Sequence, residues 1–304
     1  MTRTYLELLF ATALWGFSFV ASIWALQGMG PMLNTALRFG IALVFLALFS
    51  RKLKFAWREF LIVFRPSVCI FGMIAFQTWG LQTTSAGRSG FITVLYVLFV
   101  PIFERLFYRV RIKKILLLWI FVALVGTLLI CGIISRAGVS SDFFHSVNLG
   151  DFLTFICALF GAAHIILVNQ TMNKVDSSVK FHLYQCAWVF ALALVTTAFT
   201  EGFHRLFTPW SPLVWLGMLH LGIFSSAIAF LIQVRAQKVI PPTQFGLLVL
   251  LESPWALCFS LVLGMEVITH FQILGAVLIL LAAALESLSA FDFRSAMAKA
   301  KSKS

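Results

Sequence analysis

Ten runs of about 20 apolar residues, joined by short polar links, leave this chain few folds to choose from. They are Tyr5–Leu26, Met32–Ser50, Leu61–Gln82, Arg88–Phe107, Ile115–Ile134, Leu149–Asn169, Val179–Thr200, Pro212–Val234, Pro241–Leu263 and Phe271–Leu288. At about 1.5 Å per residue, each run covers the roughly 30 Å hydrocarbon core of a bilayer. The runs are apolar on every face, whereas strands of a membrane barrel alternate apolar and polar residues. With 61% of 304 residues hydrophobic and 11% charged, a water-soluble domain could not hide the apolar surface. The expected fold is all-α and integral to the membrane, with ten transmembrane helices. The short links make consecutive helices antiparallel.

The net charge of +12 would suggest a nucleic-acid partner in a soluble protein. Here its distribution is topological, and no nucleic acid is expected. With the N-terminus in the cytoplasm, the inner segments hold Arg3; Arg51, Lys52, Lys54, Arg58; Arg109, Arg111, Lys113, Lys114; Lys174, Lys180; Arg235, Lys238; and Arg294, Lys299, Lys301, Lys303. The outer segments hold only Arg88, Arg136 and Arg205. That asymmetry places both termini in the cytoplasm and the chain in the cytoplasmic membrane. The basic tail, residues 291–304, is expected to fray and to touch anionic lipid. Cys69, Cys131, Cys157, Cys186 and Cys258 lie within apolar runs in no paired spacing, so they read as small apolar residues. The first run has no convincing cleavage site and reads as a retained span.

The chain repeats itself. Ala13-Leu14-Trp15-Gly16 in the first span returns as Ala158-Leu159-Phe160-Gly161 in the sixth. Gln77 to Pro101 has a counterpart in Gln233 to Pro254, and each is followed by a glycine-bearing span, through Gly126 and Gly275. A proline inside an apolar helix frees a carbonyl and bends the helix, which lipid tolerates only where protein or a water-filled cavity satisfies the freed group. Pro101 and Pro254 therefore predict bent helices around a shared central cavity. Five helices per unit is an odd number, so the second unit enters the membrane from the other side. The expected domains are a five-helix repeat at 1–134, an extracytoplasmic loop at 135–148, an inverted five-helix repeat at 149–290 and the basic tail. Gly87, Gly90, Pro241 and Pro242 are candidate hinges.

Ordered along the chain stand Leu14-Trp15-Gly16-Phe17-Ser18-Phe19, Asn34 to Arg38, Thr84 to Pro101, Pro241-Pro242-Thr243 through Leu251-Glu252-Ser253, and Gly264-Met265-Glu266 followed by Ile273-Leu274-Gly275. In order and spacing the chain resembles the EamA-type members of the drug/metabolite transporter superfamily over nearly its whole length. The resemblance implies ten helices in two inverted repeats and a transport function. It leaves the substrate open among amino acids, other metabolites, nucleotide-like compounds and drugs.

A solute crossing the bilayer must dwell near its midplane. Trp15, Tyr96 and Glu252 fall mid-way along the first, fourth and ninth spans; His164 and Gln77 lie slightly to either side in the sixth and third. A carboxylate at the bilayer centre costs at least ~2.5 kcal/mol, so Glu252 must be protonated, paired or hydrated. It either binds an amino group, carries a proton, or bonds a neighbouring helix in its protonated form. His164 either pairs with it or is a satisfied neutral histidine of the bundle. Gln244, two turns before Glu252, is expected to line the inner half of the path. Trp15, Trp79 and Tyr96 are expected to form an aromatic wall suited to an organic solute or cation. Asn34 and Arg38 share a helix face and form a polar pair in the outer half. The midplane holds no Lys or Arg to clamp a phosphorylated sugar. An acid-plus-aromatic cavity suits a zwitterion or cation: an amino acid, an amine or a sulfonium such as S-adenosylmethionine.

An intramembrane enzyme would need paired carboxylates, a nucleophile with its base, or a ligand cluster. The six histidines are scattered, and the ExxH spacing of Glu201 and His204 lacks a second half. There is no nucleotide-binding loop to power an ATPase. No cofactor or metal is expected, and transport would run by proton coupling, exchange or facilitated flow. Ten spans could enclose a path alone, which favours a monomer.

Overall fold

Long runs of Leu, Phe, Ala and Val with few breakers build helices, and the ends of those helices are set by proline and capping residues. In the computed structural model, residues 2–50, 53–84, 86–135, 138–139, 147–264 and 268–301 are described. The helices are α1 (Thr2–Leu26), α2 (Pro31–Phe49), α3 (Trp57–Gly80), α4 (Ala86–Val94), α5 (Tyr96–Tyr108), α6 (Lys114–Ile130), α7 (Leu149–Thr171) and α8 (Ser178–Thr200). They continue as α9 (Pro212–Leu219), a π-helix at His220–Ala229, α10 (Phe230–Ala236), α11 (Pro242–Val249), α12 (Glu252–Val262) and α13 (His270–Lys301). Proline opens α2, α9 and α11 at a first-turn position, where its missing N–H costs nothing. Asn148 and Asp151 close a capping box at the start of α7. A two-residue antiparallel ladder, β1 (Ile134–Ser135) and β2 (Gly138–Val139), opens the 135–148 loop. The rest of that loop, Arg51, Lys52, Arg136, Met265 and Glu266 lie outside the described residues.

Eight helical segments are long and apolar enough to cross a bilayer: Arg3–Leu26, Pro31–Phe49, Trp57–Gly80, Ser89–Tyr108, Leu149–Lys174, Ser178–Thr200, Pro212–Ala236 and Pro242–Val262. The fifth and tenth expected spans are shorter apolar helices, Lys114–Ile130 and His270–Glu286. The tail expected to fray instead continues α13 as helix to Lys301. Its alanine, methionine and lysine are strong helix formers.

Two spans are broken, and neither break falls at its proline. The fourth splits at Leu95 (φ −59°, ψ −14°) and the ninth at Leu250 (φ −56°, ψ −18°) and Leu251 (φ −60°, ψ −15°). These angles are those of a 3₁₀ turn, and Leu95 N bonds Ile92 O at 3.2 Å as Leu251 N bonds Leu248 O at 3.2 Å. Pro254 sits three residues beyond the second break and cannot donate to Leu250 O, which accepts from Ser253 N instead. Pro101 lies six residues beyond the first break, inside continuous α5. Of the other hinge candidates, Gly87 and Gly90 belong to α4 and Pro242 opens α11, while Pro241 is its extended N-cap residue (φ −60°, ψ 151°).

The packing pairs helices across the two halves. α1 packs on α9, the π-helix and α12; α7 packs on α3, α4 and α5. α2 packs on α8, and α6 on α13. Small residues allow the closest approaches. A Cβ on Gly16 would meet Glu252 O at 2.9 Å, and one on Gly126 would meet Gly275 O at 2.6 Å. Gly161, the counterpart of Gly16 in the repeated tetrapeptide, faces Tyr96 Cβ at 3.7 Å.

Candidate functional site

A cavity of about 100 Å³ is lined by residues of both halves. Helical spacing explains who lines it. α1 contributes Trp15, Ser18, Phe19 and Ser22, positions i, i+3, i+4 and i+7 of one face. Ile74, Gln77 and Leu81 come from α3 and its C-terminal end, and Gly161, His164 and Ile165 from α7. Arg38, Thr93, Tyr96, Ser225, Phe230, Gln233, Phe245, Val249 and Glu252 complete the walls with Met73. Below Phe245 the bundle is tied shut: Gln244 Nε2 donates to Tyr5 Oη at 3.1 Å, and Thr243 donates to the Glu104 carboxylate.

The two helix breaks deliver Tyr96 and Glu252 to this cavity as the first residues of α5 and α12. Glu252 is 8% exposed, and among the described residues its carboxylate makes no hydrogen bond or ion pair. Trp15 Nε1 and the Tyr96 hydroxyl are buried with no hydrogen-bond partner. Buried polar groups without partners are rare and costly. Three of them on one cavity mark a surface complementary to something polar. Trp15 is held in place by Phe230, ring centroids 5.2 Å apart. Gln77 Nε2 donates to Thr93 Oγ1 at 3.1 Å.

The opposite wall is a connected polar network. Arg38 donates from Nε to Ser226 Oγ (2.8 Å) and from Nη2 to Ser225 Oγ (3.0 Å), with its guanidinium carbon 5.6 Å from the centre of the Phe39 ring. His182 Nε2 lies 2.7 Å from Ser226 O, which can only accept, so that nitrogen carries a proton. A neutral His182 then accepts at Nδ1 from the Gln185 amide, 3.2 Å away. The other end of that amide lies 2.9 Å from His164 Nε2 and accepts from it; His164 Nδ1 accepts from Gln233 Nε2 at 3.4 Å. This logic turns the Gln185 amide end for end relative to its placement in the structure, which the near-identical shapes of its two ends permit. With His182 neutral the chain runs one way, Gln233 to His164 to Gln185 to His182 to Ser226. Gln237 extends it, accepting from Gln233 at 3.3 Å and donating to Ile165 O at 2.8 Å. The ten-residue π-helix carries both serines that hold Arg38. Such widened turns recur at functional sites.

Of the residues singled out in the sequence, Trp15, Gln77, Tyr96, His164, Arg38 and Glu252 meet at this cavity. Trp79 does not: it is 39% exposed, because two residues beyond Gln77 is about 200° around the helix. Gln244 is buried beneath the cavity and bonded to Tyr5; the break after Val249 separates it from the face of Glu252. Asn34 is buried with Nδ2 unbonded, but does not line the cavity beside Arg38. The expected outer polar pair is thus divided. Sequence reasoning missed Ser18, Ser22, Ser225, Ser226, His182, Gln185 and Gln233. Gln185 and Gln233 carried a readable signal, a bulky amide within an apolar run; a serine there carries almost none. Among the described residues no cluster of three His, Cys, Asp or Glu side chains could hold a metal.

The EamA-like transporter family matches the chain twice, over residues 2–132 and 148–288. A protein of Archaeoglobus fulgidus described as an uncharacterized transporter is 29% identical over 283 residues, which cover 93% of this chain and 85% of that protein. A solved crystal structure, 18% identical, shares the fold with a TM-score of 0.77 over 96% of this chain and 99% of the other. With most of its length matched in both halves and a helical bundle of membrane-spanning length, the chain is a membrane transporter and belongs to the EamA-like transporter family.

Proposed function

We propose that the chain is a secondary transporter moving a small organic solute that carries a positive charge, cationic or zwitterionic, across the cytoplasmic membrane by alternating access. One observation carries this reading: Glu252, buried and unbonded in an apolar bundle, faces a cavity walled by Trp15 and Tyr96. A solute ammonium would compensate the carboxylate, and aromatic faces favour cations.

In this reading α6 and α13 complete ten spans, and the domains run 1–134 and 149–290, with 135–148 outside and 291–304 inside. The exchanged packing partners of α1 and α7 support an inverted repeat, since each meets the broken helix and the third-span equivalent of the other half. Membrane transporters commonly place their sites between such repeats. With both termini cytoplasmic, the Gln244–Tyr5 and Thr243–Glu104 bonds close the cytoplasmic end of the path, and alternating access requires their rupture. A proton on Glu252 would replace the solute on the return step. The chain acts as a monomer in lipid.

The test is thermal unfolding in detergent of wild type and Glu252→Gln against amines and zwitterions of increasing size, since a ligand that binds the native state raises the apparent melting point. Stabilisation of wild type but not of the variant is expected, with counterflow of the same compound in proteoliposomes. Equal stabilisation of both proteins removes Glu252 from the binding site. No response to any cation or zwitterion removes the substrate class.

A further inference from the structure

The acid and the guanidinium on the cavity wall are Glu252 and Arg38. Neither is paired. Among the described residues no carboxylate lies within ion-pair distance of Arg38, no cation lies within that distance of Glu252, and the two do not pair with each other. Arg38 is 5% exposed and Glu252 8%. A buried acid and a buried guanidinium, held apart on one cavity, each carry a burial penalty that a ligand group of opposite charge relieves; without that ligand Glu252 takes up a proton or water. A simple cation relieves Glu252 and leaves Arg38; a simple anion does the reverse.

We propose that Arg38 is the carboxylate anchor of this site, so that the solute is an α-amino acid or a compound bearing an amino-acid head group, bound with its ammonium on Glu252 and its carboxylate on Arg38. This rests on the reading of Glu252 as the cation-binding group and deepens it. A guanidinium has five N–H donors. Ser225 and Ser226 take two, one from Nη2 and one from Nε, which locks the plane of the group. The two protons on Nη1 and the second on Nη2 have no partner among the described residues, and two parallel N–H groups match a carboxylate. The serines sit in the π-helix and Ser226 O is bonded to His182, so the network from His164 to Arg38 holds the anchor from behind. Orientation follows: the carboxylate lies toward the π-helix and α2, the ammonium toward α12, and the side chain of the solute against Trp15, Tyr96 and Phe230.

The experiment is equilibrium binding to the purified full-length protein of the twenty L-amino acids, then of the tightest binder beside its decarboxylated amine and its deaminated acid. In wild type the amino acid is expected to bind at least tenfold more tightly than either analogue. Arg38→Gln should erase the preference for amino acid over amine, and Arg38→Lys should restore part of it; Glu252→Gln should weaken both. Should Arg38→Gln fail to fold, the wild-type comparison and Ser225→Ala, which loosens the anchor without removing it, still decide. An amine that binds wild type as tightly as the amino acid overturns the anchor and leaves the Glu252 reading standing. Binding of the acid alone, indifferent to Glu252→Gln, overturns the Glu252 reading and the amino-acid assignment that rests on it, and leaves Arg38 as a site for carboxylates. Absence of binding by every amino acid overturns the anchor, and the amine panel then decides the Glu252 reading separately.

Discussion

The broken helix α4–α5 and the broken helix α11–α12 have almost the same backbone and quite different chemistry. Leu95 and Leu251 agree within a degree in φ and ψ, and each hands the next residue to the cavity. In the first half that residue is Tyr96, a phenol; in the second it is Glu252, a carboxylate. The glycines of the repeated tetrapeptide obey the same rule, Gly16 approaching Glu252 and Gly161 approaching Tyr96. The same family matches both halves, and at the equivalent break the first half carries a phenol where the second carries a carboxylate. Two halves matched by one family therefore present different groups to one cavity.

The comparison can be broken most decisively at its charged member. Glu252→Gln should weaken ligand binding roughly 10- to 150-fold, the equivalent of a charge-assisted hydrogen bond worth about 1.5–3 kcal/mol. The ligand-free protein should melt higher, since an unpaired buried carboxylate is gone. Isothermal titration and thermal unfolding read the two effects; a variant that binds as wild type does would make the two breaks equivalent. Next come the prolines. Pro254→Ala restores an N–H that can reach Leu250 O at the break, and should slow turnover on the order of several-fold in proteoliposomes with little change in binding. Pro101→Ala, remote from Leu95, should leave turnover alone, and equal slowing by both would tie each break to its proline. Tyr96→Phe removes a hydroxyl that has no protein partner, so folding should be untouched while binding weakens about fivefold, near 1 kcal/mol. The smallest effect belongs to Gly90 in α4, where an added Cβ meets no atom within 4 Å. Gly90→Ala should stabilise the protein by about 0.5–1 kcal/mol. Lost transport instead would show that α4 must flex during the cycle.

The apolar runs were legible because burial in lipid demands length and uniform apolarity, and both can be read without neighbours. Glu252, His164 and Tyr96 were legible for the same reason, as polar groups where polarity is expensive. What a single run does not give is the rotation of its helix. Trp79 shared the depth of Gln77 but not its face. Gln244 was placed on the face of Glu252 by counting turns through a continuous helix, and the 3₁₀ turn at Leu250 resets that count. The partners of Arg38 were hidden because serine barely disturbs an apolar run and because a π-helix has no sequence signature. His182 looked isolated beside His164 until the Gln185 amide between them was placed.

The pair α6 and α13 touches backbone to backbone at Gly126 and Gly275. Both helices are also short in their apolar part, 17 residues in α6, which at about 1.5 Å each gives about 26 Å against a hydrocarbon core of roughly 30 Å. If both cross the membrane, as proposed, the bilayer along that edge thins or flanking residues such as Lys114 snorkel, at a cost of fractions of a kcal/mol per Å of mismatch. In that reading the resting shape of this transporter is coupled to membrane thickness, and acyl-chain length in the surrounding lipid is expected to tune its turnover without touching Glu252 or Arg38.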